Sequence, residues 1–391
     1  MTLEKFKACL ILASFGDTFG FKNGHLEFNL GNNNPPLDMT ISYIFEFISM
    51  GGINNINIKD WNASDDTLLQ MAVTKSLLKS DNYLQNCIEE FIKIKKDLNT
   101  EKRLGGIATY ESISILEKTK DPESIKYLES SGGNGASIRS MAIGLAFSKN
   151  KDKLIEHSIE IGRLTHNHVF GYLGSLVTAL FVSYGLEGIH PLLWADKLIK
   201  LYESGSIDSY IEKKNRDVQL YHKNKDTFFN YWRIYVEKFK DRTLTSEINI
   251  IEKLKFYERH FSPQVNTKKG KDYSKIGASG IDSLIVAYDS LLLSLISKNK
   301  HHGIFYKKIA DRFNVNKNAL NSELNNTILS WEKLVIYSML HVGDSDSTGT
   351  IAAAWFGAYQ GFDQVPNINY QNLEFGKEIN DLVIKLYKKY S

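Results

Sequence analysis

The chain has 391 residues, 42% of them hydrophobic, with 48 basic against 45 acidic side chains and a net charge of +3. That length allows a large buried core, and the near-balanced charge argues against a nucleic-acid binder, which would carry a basic stripe with interleaved aromatics. Only Cys9 and Cys87 occur, without CxxC spacing, which argues against a disulfide framework or zinc–thiolate site and fits a reducing compartment.

Along the chain, apolar residues recur mostly at three- and four-residue spacing, and only six prolines interrupt them. Both features predict an all-α protein. The first apolar run, 8–15, leads into Gly16-Asp17 without a small-residue cleavage pattern. It reads as a buried first helix over 3–15 with no signal peptide. Further helices are predicted over 66–78, 84–95, 136–147, 154–163, 171–184, 194–203, 226–239, 282–297, 329–341, 347–362 and 373–389. Turn-rich stretches at 31–36, 51–57, 119–135 and 262–280 read as loops. None of them reads as an interdomain linker, so one domain over 1–391 is expected. The basic runs 93–96, 268–271 and 298–302 are short and scattered and read as solvated surface. No segment approaches the ~20 apolar residues of a bilayer span. The expectation is a soluble, cytoplasmic monomer that contacts neither membrane nor nucleic acid.

Two acidic clusters stand out. Ser64-Asp65-Asp66-Thr67 precedes a run with inward positions Leu68, Leu69, Ala72 and Val73, so Ser64 or Asp65 should cap a helix. Capping and the macrodipole explain one acid there, but not two beside a pair of hydroxyls. The second cluster is Gly343-Asp344-Ser345-Asp346-Ser347-Thr348, followed by a run rich in Gly and Ala that lets backbones approach closely. Several carboxylates at the start of a buried helix are costly unless cations neutralise them. Oxygen donors of this kind suit hard divalent cations.

Other motifs point the same way. Gly133-Asn134-Gly135 opens toward a predicted helix and offers backbone N–H groups to an anion. Two metal-enzyme patterns do not fit. DDxxD fails because its fifth position is Leu69, and no histidine precedes an aspartate.

Taken together, these stretches resemble the ADP-ribosylglycohydrolase family, specifically its mono-ADP-ribosyl-arginine hydrolase branch. The likeness runs nearly end to end, anchored at Gly16-Asp17-Thr18-Phe19-Gly20, Glu27, Ser64 to Thr67, Gly105-Gly106, Gly133 to Arg139, Gly162 to His168, Gly171-Tyr172-Leu173-Gly174, Ala287-Tyr288-Asp289 and Gly343 to Thr348. The resemblance implies a compact orthogonal helical bundle with a central cleft holding two Mg²⁺ ions. It implies hydrolysis of the bond between C1″ of ADP-ribose and a protein side chain. By motif match Ser64, Asp65, Asp66, Asp344, Asp346 and Ser347 would be metal ligands, with Asp346 the bridge. Asp65, Asp66 and Glu27 would be catalytic, Glu27 on a gating loop. Gly105, Gly106, Gly133, Asn134, Gly135, His166 and Ser279 would line the substrate. ADP-ribosylated proteins and ADP-ribose are the implied partners.

The chain departs from the branch pattern at Val342, at Ile281-Asp282-Ser283-Leu284 and at Val169-Phe170. These positions bear on acceptor choice more than on hydrolysis. Alternatives are O-linked ADP-ribose (on serine, or O-acetyl-ADP-ribose), or an ADP-ribose-binding protein without catalysis.

Overall fold

The computed structural model describes residues 2–27, 36–79, 82–98, 100, 103–241, 249–262, 264–265, 273–274, 276–295 and 330–391. Among these the fold is all-α, apart from one short ribbon and an isolated bridge between Gly133 and Ser279. The helices are α1 (Leu3–Phe21), α2 (Met39–Ser49), α3 (Asp65–Leu78), α4 (Tyr83–Leu98), α5 (Ile107–Thr119), α6 (Met141–Phe147), α7 (Lys151–Arg163), α8 (Val169–Leu186) and α9 (Trp194–Glu203). They continue as α10 (Ser206–Lys214), α11 (Val218–Asp241), α12 (Ile250–His260), α13 (Asp282–Leu295), α14 (Ser330–Met339), α15 (Ser345–Gln360), α16 (Asn367–Tyr370) and α17 (Gly376–Tyr390). An antiparallel pair, β1 (Gln264–Val265) and β2 (Tyr273–Ser274), follows α12.

The centre of the molecule is the contact between α1 and α15. A Cβ added to Gly16 would lie 2.4 Å from the Gly349 carbonyl oxygen, and one on Gly20 would lie 2.4 Å from that of Ser345. A Cβ on Gly357 would meet the Ala8 carbonyl oxygen at 2.5 Å. As positions rise along α1 they fall along α15, so the two helices run antiparallel with backbones touching. Glycine is needed here for close approach rather than for a special backbone angle. Around this pair, α3 packs on α4, α7 on α8, and α13 on α14 and α15. The last helix, α17, closes against α1 and α3. Aromatic rings fill the far side, with Phe181 contacting Trp194, Trp232, Tyr288 and Trp355 at centroid distances of 5.4, 5.5, 5.3 and 5.0 Å.

Several sequence expectations need correction. The first helix does not stop at 15 but runs through both glycines to Phe21, because α15 packs against that stretch. The predicted helix over 136–147 is broken. A 3-10 turn covers Ser137–Arg139 and α6 starts only at Met141. There the Arg139 guanidinium donates to the Gly135 carbonyl at 2.5 Å and the Ser140 hydroxyl to that of Ala136 at 2.6 Å.

Helices α2, α5, α10, α12 and the short α16 were not predicted, nor was the ribbon inside the loop expected at 262–280. Contrary to the reading that nothing approaches a bilayer span, α8 is long and apolar enough by length and composition. It is a core helix, however, with 94% of its apolar window buried inside the protein. The basic runs 268–271 and 298–302, residues 31–35 of the first loop, and positions 296–297 and 329 lie outside the described residues.

Because a methyl group at position 16 has no space short of moving α15, Gly16→Ala should lower stability by about 1–3 kcal/mol or more. Urea unfolding of the purified variant against the parent chain checks this.

Candidate metal and active site

The site begins with Asp17, a buried acid in the middle of the apolar α1. Its carboxylate accepts from the Ser64 backbone N–H, 3.1 Å to each oxygen, and from the Thr67 N–H at 3.1 Å. It also takes the Thr67 hydroxyl, which sits 3.1 Å from the Ser14 hydroxyl. Asp17 therefore seats the first turn of α3 on α1. Ser64 caps that turn, its hydroxyl accepting from the Asp66 N–H at 3.1 Å, as expected of an N-cap serine. The helix start then presents Asp65 and Asp66 inward.

The second cluster arrives from the opposite direction. The antiparallel register of α1 and α15 places the first turn of α15 beside the last turns of α1, where the Ser345 hydroxyl donates to the Gly20 carbonyl at 2.8 Å. The Ser347 hydroxyl reaches Asp66 at 3.2 Å, linking the two clusters directly.

Two groups of oxygen donors result. Asp17, Asp66 and Asp346 bring carboxylate oxygens within 4.8 Å of one another, and so do Glu27, Asp344 and Asp346. Asp346 belongs to both, the position expected of a bridging ligand. The donor set is oxygen only, with no sulfur or imidazole, which suits a hard divalent cation rather than zinc.

Electrostatics support the same reading. Among the described residues, none of Asp17, Asp65, Asp66, Asp344 and Asp346 forms an ion pair with lysine or arginine. Burial, together with the neighbouring acids, pushes Asp66, Asp346 and Glu27 well above the ordinary carboxylate range. Asp65 is raised to about 7 by burial and then by Asp17 and Asp344, although the Gly106 backbone N–H partly offsets this. Two helix N-termini, those of α3 and α15, point their positive ends at these charges and offset part of the repulsion. What remains is a concentration of negative charge that a cation would relieve.

The remaining expected positions fall nearby with differing roles. Asn134 donates 2.7 Å to the Gly277 carbonyl and 3.0 Å to Asp344, so it ties its loop to the acid cluster. Its own N–H is spent on the Ala278 carbonyl at 3.2 Å. His166 is buried behind this loop, its Nδ1 2.7 Å from the Thr165 hydroxyl, and burial with Arg139 nearby holds it neutral, down at about 3. A Cβ on Gly135 would strike the His166 ring at 2.6 Å, so this loop needs glycine there. Ser279 donates 2.6 Å to Asp282 and accepts from the Asp282 N–H at 3.1 Å, turning the chain into α13. Gly105 pairs back to the Leu98 carbonyl at 2.9 Å, while Gly106 faces Asp65 through its N–H. Glu27 stands half-buried in the second donor group.

Two departures from expectation matter. Asp17 was not among the expected site residues, yet it is in the first donor group. Asp65 was expected to be a ligand, yet it is in neither group.

The sequence model of the ADP-ribosylglycohydrolase family matches residues 1–391. The chain belongs to the ADP-ribosylglycohydrolase family. Family members hydrolyse ADP-ribosyl linkages and depend on metal, and that hydrolysis is the activity this chain's membership supports. A provisionally named ADP-ribosyl glycohydrolase of Acanthamoeba polyphaga mimivirus is 33% identical over 393 residues, covering 96% of this chain and 68% of its own. The ADP-ribosylhydrolase ARH1 of Dictyostelium discoideum is 32% identical, covering 97% and 92%. The ADP-ribosylhydrolase ARH3 of Xenopus tropicalis is 24% identical, covering 99% and 96%. A solved ADP-ribosylglycohydrolase-related protein complex superposes with a TM-score of 0.55 at 16% identity, covering 100% of this chain and 99% of that one, a likeness of fold.

The raised carboxylates give this ADP-ribosylglycohydrolase a defined pH signature. Asp65 sits at about 7 when folded against an ordinary 3.8. Protonation therefore favours the cation-free fold, a contribution complete below about pH 4 and lost as pH rises through about 7. A cation binds the deprotonated set. The donor carboxylates Asp66, Asp346 and Glu27 are raised in the same direction, so the rise in Tm on adding Mg²⁺ over EDTA should grow as pH increases, as thermal unfolding in both buffers at each pH would show.

Proposed function

We propose that this chain is a Mg²⁺-dependent hydrolase that removes ADP-ribose from arginine side chains by cleaving the N-glycosidic bond at C1″. The observation that carries the metal part is the pair of donor groups sharing Asp346, built from chain segments far apart in sequence. Two ions fit that sharing. When bound, the cations supply Lewis-acid charge that grips ribose hydroxyls and acidifies a water.

The chain's own residues do the rest. Asp65 lies outside both donor groups but close enough to Asp17 and Asp344 to be raised by them, so it would be free to take the proton of the attacking water while Asp66 would hold a cation. Glycosidic cleavage passes through an oxocarbenium-like state, which the surrounding carboxylates stabilise by charge. Gly106, whose N–H meets Asp65, and Gly105 before it would line the substrate there. The Gly133–Gly135 loop, stiffened by His166 behind it, presents its remaining backbone face to the diphosphate.

Arginine as acceptor rests on two supports. The relative named ARH1 shares 32% identity against 24% for the one named ARH3. Moreover, six carboxylates (Asp17, Glu27, Asp65, Asp66, Asp344 and Asp346) outnumber the charge of two divalent cations. The surplus negative charge suits a guanidinium acceptor better than a neutral hydroxyl.

The test is hydrolysis of ADP-ribosyl-arginine and ADP-ribosyl-serine peptides side by side, with Mg²⁺ and with EDTA. Faster release from arginine, abolished by EDTA, is expected. Preference for the serine linkage would reassign the acceptor, and ADP-ribose binding without release from either would make the chain a binding protein. In the same assay Asp65→Asn should lower kcat/KM by about 10²–10⁴-fold.

A further inference from the structure

The lead-in to α3 is held more tightly than capping requires. Every backbone N–H from Ala63 to Thr67 has a partner. Asp17 takes those of Ser64 and Thr67, and the Ser64 hydroxyl takes that of Asp66. The other two are held from outside the acid cluster. The Ala63 N–H donates to Glu374 at 3.0 Å, and the Asp65 N–H to the Arg103 carbonyl at 3.1 Å.

Arg103 and Glu374 are themselves joined through a two-pronged pair, at 2.7 and 2.6 Å, across 271 positions of sequence. The same guanidinium donates 2.5 Å to the Ala63 carbonyl and lies 5.3 Å from the Phe375 ring centre. Residue Ala63 is thus gripped at its N–H by Glu374 and at its C=O by Arg103. Two parallel N–H···O bonds fix direction as well as distance, which a lysine cannot do. The Arg103 side chain is 11% exposed and that of Glu374 30%, so the pair is partly shielded from solvent on the arginine side.

A second ion pair also ties α3 to the C-terminal segment, without touching the site. Lys75 on α3 meets Glu378 on α17 at 2.8 Å, with both side chains at least one-third exposed. That pair fastens helix to helix. The Arg103–Glu374 pair instead acts on the peptides flanking Ala63, two residues before the acids begin.

We propose that Arg103 and Glu374 form a positioning clamp, which sets the angle at which α3 presents Asp66 to Asp346 and so fixes cation affinity from the C-terminal segment. This deepens the metal reading above and rests on it. A residue acting on ligand geometry from outside the donor set typically changes metal affinity by about 10–100-fold.

The experiment is Mn²⁺ binding to the full chain, followed by electron paramagnetic resonance of free Mn²⁺, with Tm measured on the same samples. Glu374→Gln keeps the size of the side chain but breaks the charged fork. It should weaken Mn²⁺ binding about 10-fold, and Arg103→Lys should do the same. The double variant should be little worse than either single one, because the two residues act as a unit. Glu378→Gln serves as the comparison and should lower Tm slightly with Mn²⁺ affinity unchanged. If Glu374→Gln fails to fold, Glu374→Asp retains the charge on a shorter arm and should give a smaller loss of affinity in the same direction. Clamp variants that lower Tm as Glu378→Gln does, while binding Mn²⁺ like the parent chain, would overturn the clamp and leave the metal site standing. A parent chain that binds no Mn²⁺ would instead overturn the metal reading, and the clamp with it.

Discussion

Like charges held together away from water are the constraint that organises this molecule. Five aspartates, Asp17, Asp65, Asp66, Asp344 and Asp346, and the half-buried Glu27 converge inside the protein; burial raises the proton affinity of all six, and neighbouring acids raise it further at Glu27, Asp65, Asp66 and Asp346. An uncompensated buried charge is among the most expensive things a fold can contain. Here the compensation comes in layers: backbone donors on Asp17, two helix N-termini and the Asn134 amide on Asp344; a bound cation would take up charge that these leave. The repulsion is thus a reservoir of binding energy for a cation, and burial keeps it from being screened.

The scaffold explains how the acids come together. Two helices from opposite ends of the chain touch backbone to backbone, so their relative position has little freedom. One carries Asp17 and the other carries Asp346 in its first turn, and α3 is pinned to the first by Asp17 itself. Asp17 therefore has two duties, as anchor of a neighbouring ligand helix and as one corner of a donor group. This double use ties fold to site closely: the contact that sets the helix packing also sets the ligand geometry.

How much of this could be read in the sequence varied with the kind of signal. The clusters at Asp65-Asp66 and Asp344/Asp346 were legible because adjacent acids and hydroxyls at a helix start exceed what capping explains. Asp17 was passed over as a site residue, although its signal was available. A lone acid within an apolar helical run is costly without a purpose. Trp194–Glu203 was predicted with the observed bounds, since its pattern is strongly amphipathic and its ends are marked by turns. In contrast, α2 is apolar on most of its sides and α10 has only nine residues, so tertiary packing decides them. Helix α12, with Ile250, Leu254 and Tyr257 buried at helical spacing behind an Asn249 cap, carried a signal that was not used. The break at Ser140 follows from side-chain hydrogen bonds to the preceding carbonyls, which no apolar periodicity encodes. The engagement of Asn134 and Ser279 inside the protein likewise depends on the Gly133–Ser279 bridge, a contact between segments far apart in sequence.

Family membership and donor geometry meet at one residue, the carboxylate shared by both groups. The most direct measurement is anomalous diffraction from crystals grown with Mn²⁺, which locates the cation without reference to activity. The account predicts anomalous density on both sides of Asp346, one peak toward Asp17 and Asp66 and the other toward Glu27 and Asp344. Crystals with no density beside Asp346, or with Mn²⁺ bound only elsewhere on the chain, would contradict it.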